Sequence, residues 1–193
     1  MRRSGILMAV SSIPSKYGIG AFSKEAYAFV DFLAAAGQKL WQILPLGPTG
    51  YGDSPYQSFS TFAGNPYFID LEALIAEGWL TKKDCEGFDF GDNEAYVDYE
   101  KIYLARFSVL RLAFENSRIE QNDEFLKFCE ENAYWLADYA LYMAVKNSFD
   151  GKSWTEWDED IKLRKEAALS HYRKLYAQEI LFYEFQQFLF AKQ

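Results

Sequence analysis

The chain begins with two short apolar runs separated by one amphipathic stretch. Residues 4–10 show no alternation of apolar and polar positions, which is typical of a strand covered on both faces. From Ser23, a candidate helix N-cap, apolar residues recur at helical spacing until Gly37. Residues 39–44 predict a second buried strand, which stops at Pro45. This order predicts a β-α-β unit, the building block of a parallel sheet or barrel.

Beyond residue 71 the apolar pattern becomes helical. Residues 84–100 carry seven acidic side chains and no Lys or Arg, which favours a solvated loop over a metal site. Residues 161–193 predict one long amphipathic helix, on which His171 is exposed. Between these segments, helical spacing predicts three apolar stripes: Tyr103, Phe107, Leu110 and Phe114; Phe125, Phe128 and Cys129; and Trp135, Tyr139, Tyr142 and Met143.

The patterns divide the chain into three parts. Residues 1–71 hold the first two strands, the first helix and a long loop. Residues 72–160 form a helical insertion with the acidic loop. Residues 161–193 are a return helix that leads toward a third strand.

Composition and charge exclude several partners. The net charge is −8 and no basic cluster occurs, so attraction to nucleic acid or to anionic lipid is not expected. Cys85 and Cys129 stand far apart without histidine companions, which predicts free thiols rather than a metal site or a disulfide. No apolar run is long enough to cross a membrane, and Ser11 and Pro14 interrupt the run that resembles a signal peptide. A cytoplasmic location is expected.

The loop after the second predicted strand holds the candidate chemistry. Asp53, Ser54, Tyr56 and Gln57 place short polar groups and a phenol ring within five residues, and Pro55 fixes the local backbone. An aromatic face can cover the apolar side of a sugar ring while neighbouring polar groups bind its hydroxyls. The loop therefore predicts a carbohydrate site, with a rigid tyrosine-rich turn that packs on itself as the alternative.

Longer sequence motifs favour carbohydrate. The string GPTGYGDSPYQSFSTFAGNPYFIDL, with LWQILPL and SSIPSKYGIGAFSKEAYAFVDFLAAAG before it, closely resembles the N-terminal part of the 4-alpha-glucanotransferases, or amylomaltases, of glycoside hydrolase family 77. The likeness continues through WLADYALYMAVKNSF to Trp154 and Trp157. It implies an α/β fold, namely the N-terminal portion of a (β/α)8 TIM barrel with a mainly helical insertion. It also implies retaining transfer of α-1,4-glucan segments to the 4-hydroxyl of an acceptor sugar.

The resemblance assigns roles to five residues of this loop. It implies that Tyr56 stacks beside the sugar at the cleavage point, that Ser54 lines the neighbouring subsite, and that Tyr51 contributes to a secondary glucan-binding surface. Asp53 and Gln57 match the motif and are expected to shape the loop.

The resemblance places the nucleophilic Asp, the acid/base Glu and the stabilising Asp of the family on later barrel strands, so no catalytic residue is expected in this chain. Retaining glycosyl transfer needs two carboxylates about 5 Å apart. Asp70 and Asp98 are the pair that this chain could offer, but no pattern places them on one face.

Only two strand-like runs occur, whereas a complete barrel needs about 250 residues. The chain is therefore expected to be truncated and inactive alone. The expected partners are malto-oligosaccharides and the missing C-terminal part of the barrel. No metal or other cofactor is expected. The alternatives are an α-glucan hydrolase of the same barrel type, a non-catalytic glucan-binding remnant, or half of a split enzyme.

Overall fold

A computed structural model describes residues 2–93 and 95–193 of the chain. Its regular structure is mainly helical, with one pair of parallel strands among these residues. The strands are β1 Gly5–Leu7 and β2 Leu40–Gln42, and the helices are α1 Lys24–Ala35, α2 Leu71–Ala76, α3 Lys82–Glu86, α4 Tyr99–Ser117, α5 Asp123–Glu131, α6 Ala133–Ser148, α7 Glu159–Lys162, α8 Glu166–Leu175 and α9 Ala177–Lys192.

The β-α-β unit predicted from the sequence is present. β1 pairs with β2 in parallel, with Ile6 opposite Trp41, and α1 connects the two strands. The prediction that both strands are buried was wrong: Leu7 is 61% exposed and Leu40 is 51% exposed. An apolar pattern shows that the side chains of a strand can be covered by other layers, but it does not show that the layers are present. In this chain few side chains cover the sheet.

Helix α1 ends as its sequence predicts. Gly37 has φ +73° and donates its N–H to the carbonyl of Ala34, while Gln38 donates to Leu33. This pair of hydrogen bonds is the Schellman arrangement, which needs a residue in the left-handed region just after the helix. The predicted N-cap, Ser23, is buried and extended but makes no side-chain cap hydrogen bond.

The chain forms two compact units. The first runs to Arg118 and includes Leu189–Gln193, and the second is Ile119–Phe188. The predicted division into residues 1–71, 72–160 and 161–193 groups elements by type. The two compact units do not test it, so it stays a prediction. Core side chains of the first unit include Ile69, Leu71, Leu74, Ile102, Val109 and Leu110, and those of the second include Leu141, Val145, Trp157, Ile161 and Leu169.

Two predictions about the helical region were wrong in part. Residues 161–193 contain two complete helices after the end of α7, because the chain turns at Arg164, with φ +53°, and again at Tyr176. Tyr103, which belongs to the first predicted apolar stripe, is exposed. Trp157 is buried, whereas Trp154 is 52% exposed.

The predicted solvated acidic loop is partly structured. Asp84 forms a capping box with Thr81 at the start of α3, and Asp89 pairs with Lys101 at 2.8 Å. Glu94, which belongs to the same run, lies outside the described residues. Acidic groups in this run therefore cap helices and pair with a lysine on α4.

A carboxylate on α2 ties the loop after β1 to that helix. Glu72 accepts hydrogen bonds from the Tyr17 hydroxyl at 2.8 Å and from Lys16 at 3.2 Å. The hydrogen bond from Tyr17, followed by that from Lys16, lowers the pKa of Glu72. Both contacts favour the charged carboxylate.

Stability at acid pH is expected to depend on this carboxylate. A folded-state pKa below the unfolded value of 4.5 means that Glu72 stabilises the fold above pH 4.5 and loses this effect as the pH falls through the lowered pKa. Glu72→Gln should reduce the free energy of unfolding at pH 7 by about 1 kcal/mol or less, after discounting for solvent screening. Urea unfolding from pH 7 to pH 3 measures the difference, which should shrink below pH 4.5. The exposed control is Glu86→Gln, and parallel profiles for both variants would contradict the assignment.

Candidate functional site

The candidate site lies where the two parallel strands end. Beyond β1 the chain continues through Ala9, Val10 and Ser11, and beyond β2 through Leu44 and Pro45. The two segments remain joined there, since Met8 donates its N–H to the Gln42 carbonyl at 3.0 Å. Loops at the carboxyl ends of parallel strands are the usual place for a ligand site in α/β proteins.

A pocket of about 90 Å³ opens between these segments. Its walls combine apolar side chains with hydroxyl, amide and carboxylate groups, the mixture typical of small-molecule sites. The lining residues are Ala9, Val10, Ser11, Ile19, Leu44, Pro45, Leu46, Thr49, Asp53, Pro55, Asn65, Tyr67, Phe68 and Tyr99. Of the five residues singled out in the sequence, Asp53 lines this pocket.

The other four residues lie along the same loop. Tyr51 is fully exposed and Tyr56 is 73% exposed, so both rings are accessible to a ligand. Gln57 is exposed, and Ser54 is half-buried with its carbonyl accepting the Gln57 N–H at 3.1 Å. The alternative, a tyrosine-rich turn that packs on itself, would bury these two rings, whereas both are exposed.

Asp53 holds the first turn of the loop. Its backbone lies in the left-handed region, with φ +50°, and its N–H donates to the Gly50 carbonyl at 3.1 Å. The Thr49 hydroxyl donates to the Asp53 carboxylate at 2.9 Å. Short polar side chains tolerate this conformation in turns. These contacts hold Asp53 within the turn, and the loop-shaping role that the resemblance implies stays a prediction.

A buried asparagine connects the loop to the core. Asn65 is 4% exposed, and its amide donates to the Thr49 hydroxyl at 3.5 Å. Its side-chain oxygen accepts the Tyr67 N–H at 3.0 Å, and its own N–H donates to the Leu46 carbonyl at 2.8 Å. A chain of hydrogen bonds, which we call the Asn65–Thr49–Asp53 relay, therefore fixes the loop to the 3₁₀ turn Pro66–Phe68.

The pocket contains two tyrosines, Tyr67 and Tyr99, to which the sequence pattern assigned no role. Burial, with the nearby negative charge of Asp53, raises the pKa of both Tyr67 and Tyr99. Their rings pack against each other at 6.2 Å between centroids. Both phenols stay protonated at neutral pH and keep an O–H donor. Tyr67 follows the recognised loop directly, but no local pattern links it to Tyr99, which is 32 residues further on.

The two carboxylates considered as a catalytic pair serve as helix caps. The Asp70 carboxylate accepts the Glu72 N–H at 3.1 Å at the start of α2. The Asp98 carboxylate accepts the Lys101 N–H at 3.2 Å at the start of α4. Within residues 2–93 and 95–193, three or more His, Cys, Asp or Glu side chains do not gather as a metal site would require. In the same ranges, no helix is both long and apolar enough to span a bilayer.

Comparison with known proteins places this geometry in context. A family model described as 4-alpha-glucanotransferase matches residues 8–193. A 4-alpha-glucanotransferase of Clostridium butyricum is 49% identical over 186 residues, which cover 96% of this chain and 38% of the relative. A Thermus thermophilus 4-alpha-glucanotransferase is 44% identical over 196 residues, covering 100% of this chain and 38% of the relative. The chain therefore spans less than two fifths of the length of these relatives.

A solved structure shares the fold over the whole chain. The structure of amylomaltase from Streptococcus agalactiae in complex with acarbose matches with a TM-score of 0.94 and 42% identity. The match covers 100% of this chain and 39% of that protein.

Proposed function

The chain belongs to the 4-alpha-glucanotransferase family, and we propose that it supplies the glucan-binding loop of an enzyme that transfers α-1,4-glucan segments to the 4-hydroxyl of an acceptor sugar. The observation that carries this proposal is the exposed tyrosine loop of residues 51–57, at the carboxyl ends of β1 and β2. The acarbose complex of the similar amylomaltase supports an oligosaccharide as the ligand.

Each residue of the loop has a proposed part in binding. The Tyr56 ring stacks on one sugar unit, and Ser54 donates or accepts a hydrogen bond at the neighbouring unit. Tyr51, which is fully exposed, offers a second stacking face. Gln57 shapes the loop together with Asp53, whose turn fixes the spacing between the two tyrosines. A neutral ligand suits this site because stacking and hydrogen bonds, rather than opposite charge, hold it.

We also propose that β1 and β2 are the first two strands of a (β/α)8 barrel. The exposure of Ile6, Leu7 and Leu40 supports this proposal, since apolar side chains on strands normally face other layers of the protein. A barrel closes the sheet and removes its free edges. The partner of this surface is then the remainder of the barrel.

Glucan binding is expected to depend on both exposed tyrosines. Tyr56→Ala should weaken maltoheptaose binding by about 3- to 10-fold, because ring stacking contributes about 0.5–1.5 kcal/mol beyond area burial. Tyr51→Ala should also weaken it, and Tyr56→Phe should bind nearly as well as the unmodified chain because it keeps the ring. Isothermal titration calorimetry measures the dissociation constants.

The control for exposure is Tyr134→Ala, because Tyr134 is 74% exposed and lies outside the loop. A β-linked oligosaccharide of the same length is the control for ligand class. Equal affinities for maltoheptaose in Tyr51→Ala, Tyr56→Ala and Tyr134→Ala would contradict the proposed site. Because Asp70 and Asp98 are engaged as helix caps, chromatography of the same mixtures should show neither glucose nor longer maltodextrins.

A further inference from the structure

Arg106 is an unusual residue for the core of the first unit. It lies on α4 and is 1% exposed, although arginine is rarely buried without an ion partner. Burial lowers its pKa to about 10, so the guanidinium remains charged at neutral pH. A buried charge destabilises the fold unless hydrogen bonds within the protein offset the free energy of its desolvation.

The hydrogen bonds of Arg106 do not suggest a residue retained for stability. Its Nη2 donates to the Ile69 carbonyl, whereas its Nε and Nη1 have no hydrogen-bond partner among the described residues. Within residues 2–93 and 95–193, Arg106 forms no ion pair within salt-bridge distance. The negative charge of Asp70 is nevertheless close enough to favour the charged form of the guanidinium. Among the described residues, the one hydrogen bond of the Arg106 side chain is therefore to the backbone of the segment that carries Asn65 and Tyr67.

A second side chain holds the next residue of the same segment. The Gln193 side chain accepts the Asp70 N–H at 2.6 Å and donates to the Asp70 carbonyl at 3.2 Å. Arg106 and Gln193 thus bind the backbone at two consecutive residues, from positions 37 and 123 residues away in the sequence. We call this arrangement the backbone clamp.

The backbone clamp lies at one end of the turn that forms the pocket wall. Phe68 accepts the Phe22 N–H at 2.9 Å, and Asn65 begins the turn and donates to Thr49. Residues 65–70 are therefore fixed along their length, and the Asn65–Thr49–Asp53 relay connects them to the tyrosine loop. A shift at Ile69 would move the Asn65 amide, whose 3.5 Å hydrogen bond has little tolerance for a longer distance.

We propose that Arg106 is a positioning residue for glucan binding, which acts through the Ile69 carbonyl and the Asn65–Thr49–Asp53 relay on the loop of residues 51–57. This inference rests on the proposed function, because the loop is the proposed glucan site. It adds a residue that touches no sugar and lies on a helix remote in sequence from the recognised motif. Its effect is to hold the loop in its binding geometry before the ligand arrives.

The test compares three substitutions on α4. Arg106→Met keeps a long flexible side chain without donors, Arg106→Lys keeps one donor and the charge, and Arg111→Met removes an arginine elsewhere on the helix. Arg106→Met should weaken maltoheptaose binding about tenfold. Its thermal midpoint should not fall in proportion, because removing a buried charge offsets the lost hydrogen bond. Arg106→Lys should bind within about threefold of the unmodified chain, and Arg111→Met should bind equally well.

Amide hydrogen exchange, measured in the absence of sugar, shows how firmly the backbone clamp holds the segment and the loop. Exchange in residues 65–70 and 49–57 should be faster in Arg106→Met than in Arg106→Lys or Arg111→Met. Unchanged exchange and unchanged affinity in Arg106→Met would overturn the proposal. If Arg106→Met does not fold, Gln193→Ala provides the same comparison, with faster exchange expected at Asp70 and in the loop. If the unmodified chain binds no maltoheptaose, the proposed function fails, while the exchange data still decide whether Arg106 positions the loop.

Discussion

Gly18→Ala is expected to destabilise the first unit by about 3 kcal/mol or more, because the substitution adds a steric overlap to backbone strain. Gly18 has φ +70°, and a Cβ at this position would overlap the carbonyl oxygen of Phe90 and lie 2.8 Å from the Ile102 side chain. The Phe90 carbonyl belongs to the backbone and cannot rotate away. Ile19, the next residue, is 2% exposed and lines the pocket. The backbone movement that relieves the overlap at Gly18 should therefore also distort the candidate site.

Gly37→Ala separates the two causes. Gly37 has nearly the same backbone conformation, with φ +73°, but a Cβ there would meet nothing within 4 Å. The substitution should therefore cost only the strain of the left-handed region, about 1–2 kcal/mol. Urea unfolding followed by circular dichroism, with amide exchange of the first unit, measures both variants. Equal losses for Gly18→Ala and Gly37→Ala would show that the close approach to Phe90 is unimportant.

The β-α-β unit and the loop could be predicted from the sequence because their signals are local. Gly37 ends α1 through a conformation that favours glycine, and the hydrogen bonds lie within a few residues of it. The polar and aromatic residues of the loop are likewise adjacent in the sequence. Local patterns of this kind are consistent with the final fold, which is why they predict it.

Burial and the distant partners could not be predicted because they depend on the tertiary fold. An apolar run such as residues 4–10 is the same whether other layers cover it or not, and here the strand is exposed. The turn at Arg164 has no glycine to signal a left-handed backbone. The contact of Arg106 with Ile69, and that of Gln193 with Asp70, join residues that no spacing rule relates.

Asn65→Ala is expected to reduce the free energy of unfolding by about 2–3 kcal/mol and to weaken glucan binding. The substitution leaves the buried Tyr67 N–H without its side-chain acceptor, and an unsatisfied buried donor costs about 1–3 kcal/mol. It also removes the amide that donates to Thr49, so the Asn65–Thr49–Asp53 relay no longer fixes the loop. Urea unfolding and maltoheptaose titration measure the two effects on the same protein.

Thr49→Val isolates the effect on the loop from the effect on the turn. Valine keeps the shape of the side chain but cannot donate to Asp53, and the Asn65–Tyr67 hydrogen bond remains. Because the Asn65–Thr49 hydrogen bond is long, the stability cost should be about 1 kcal/mol, while the loss of glucan affinity should approach that of Asn65→Ala. If Thr49→Val binds maltoheptaose as tightly as the unmodified chain, the relay does not shape the site. Asn65 would then act on the Pro66–Phe68 turn alone, and the pocket wall rather than the loop would be the element that the core holds in place.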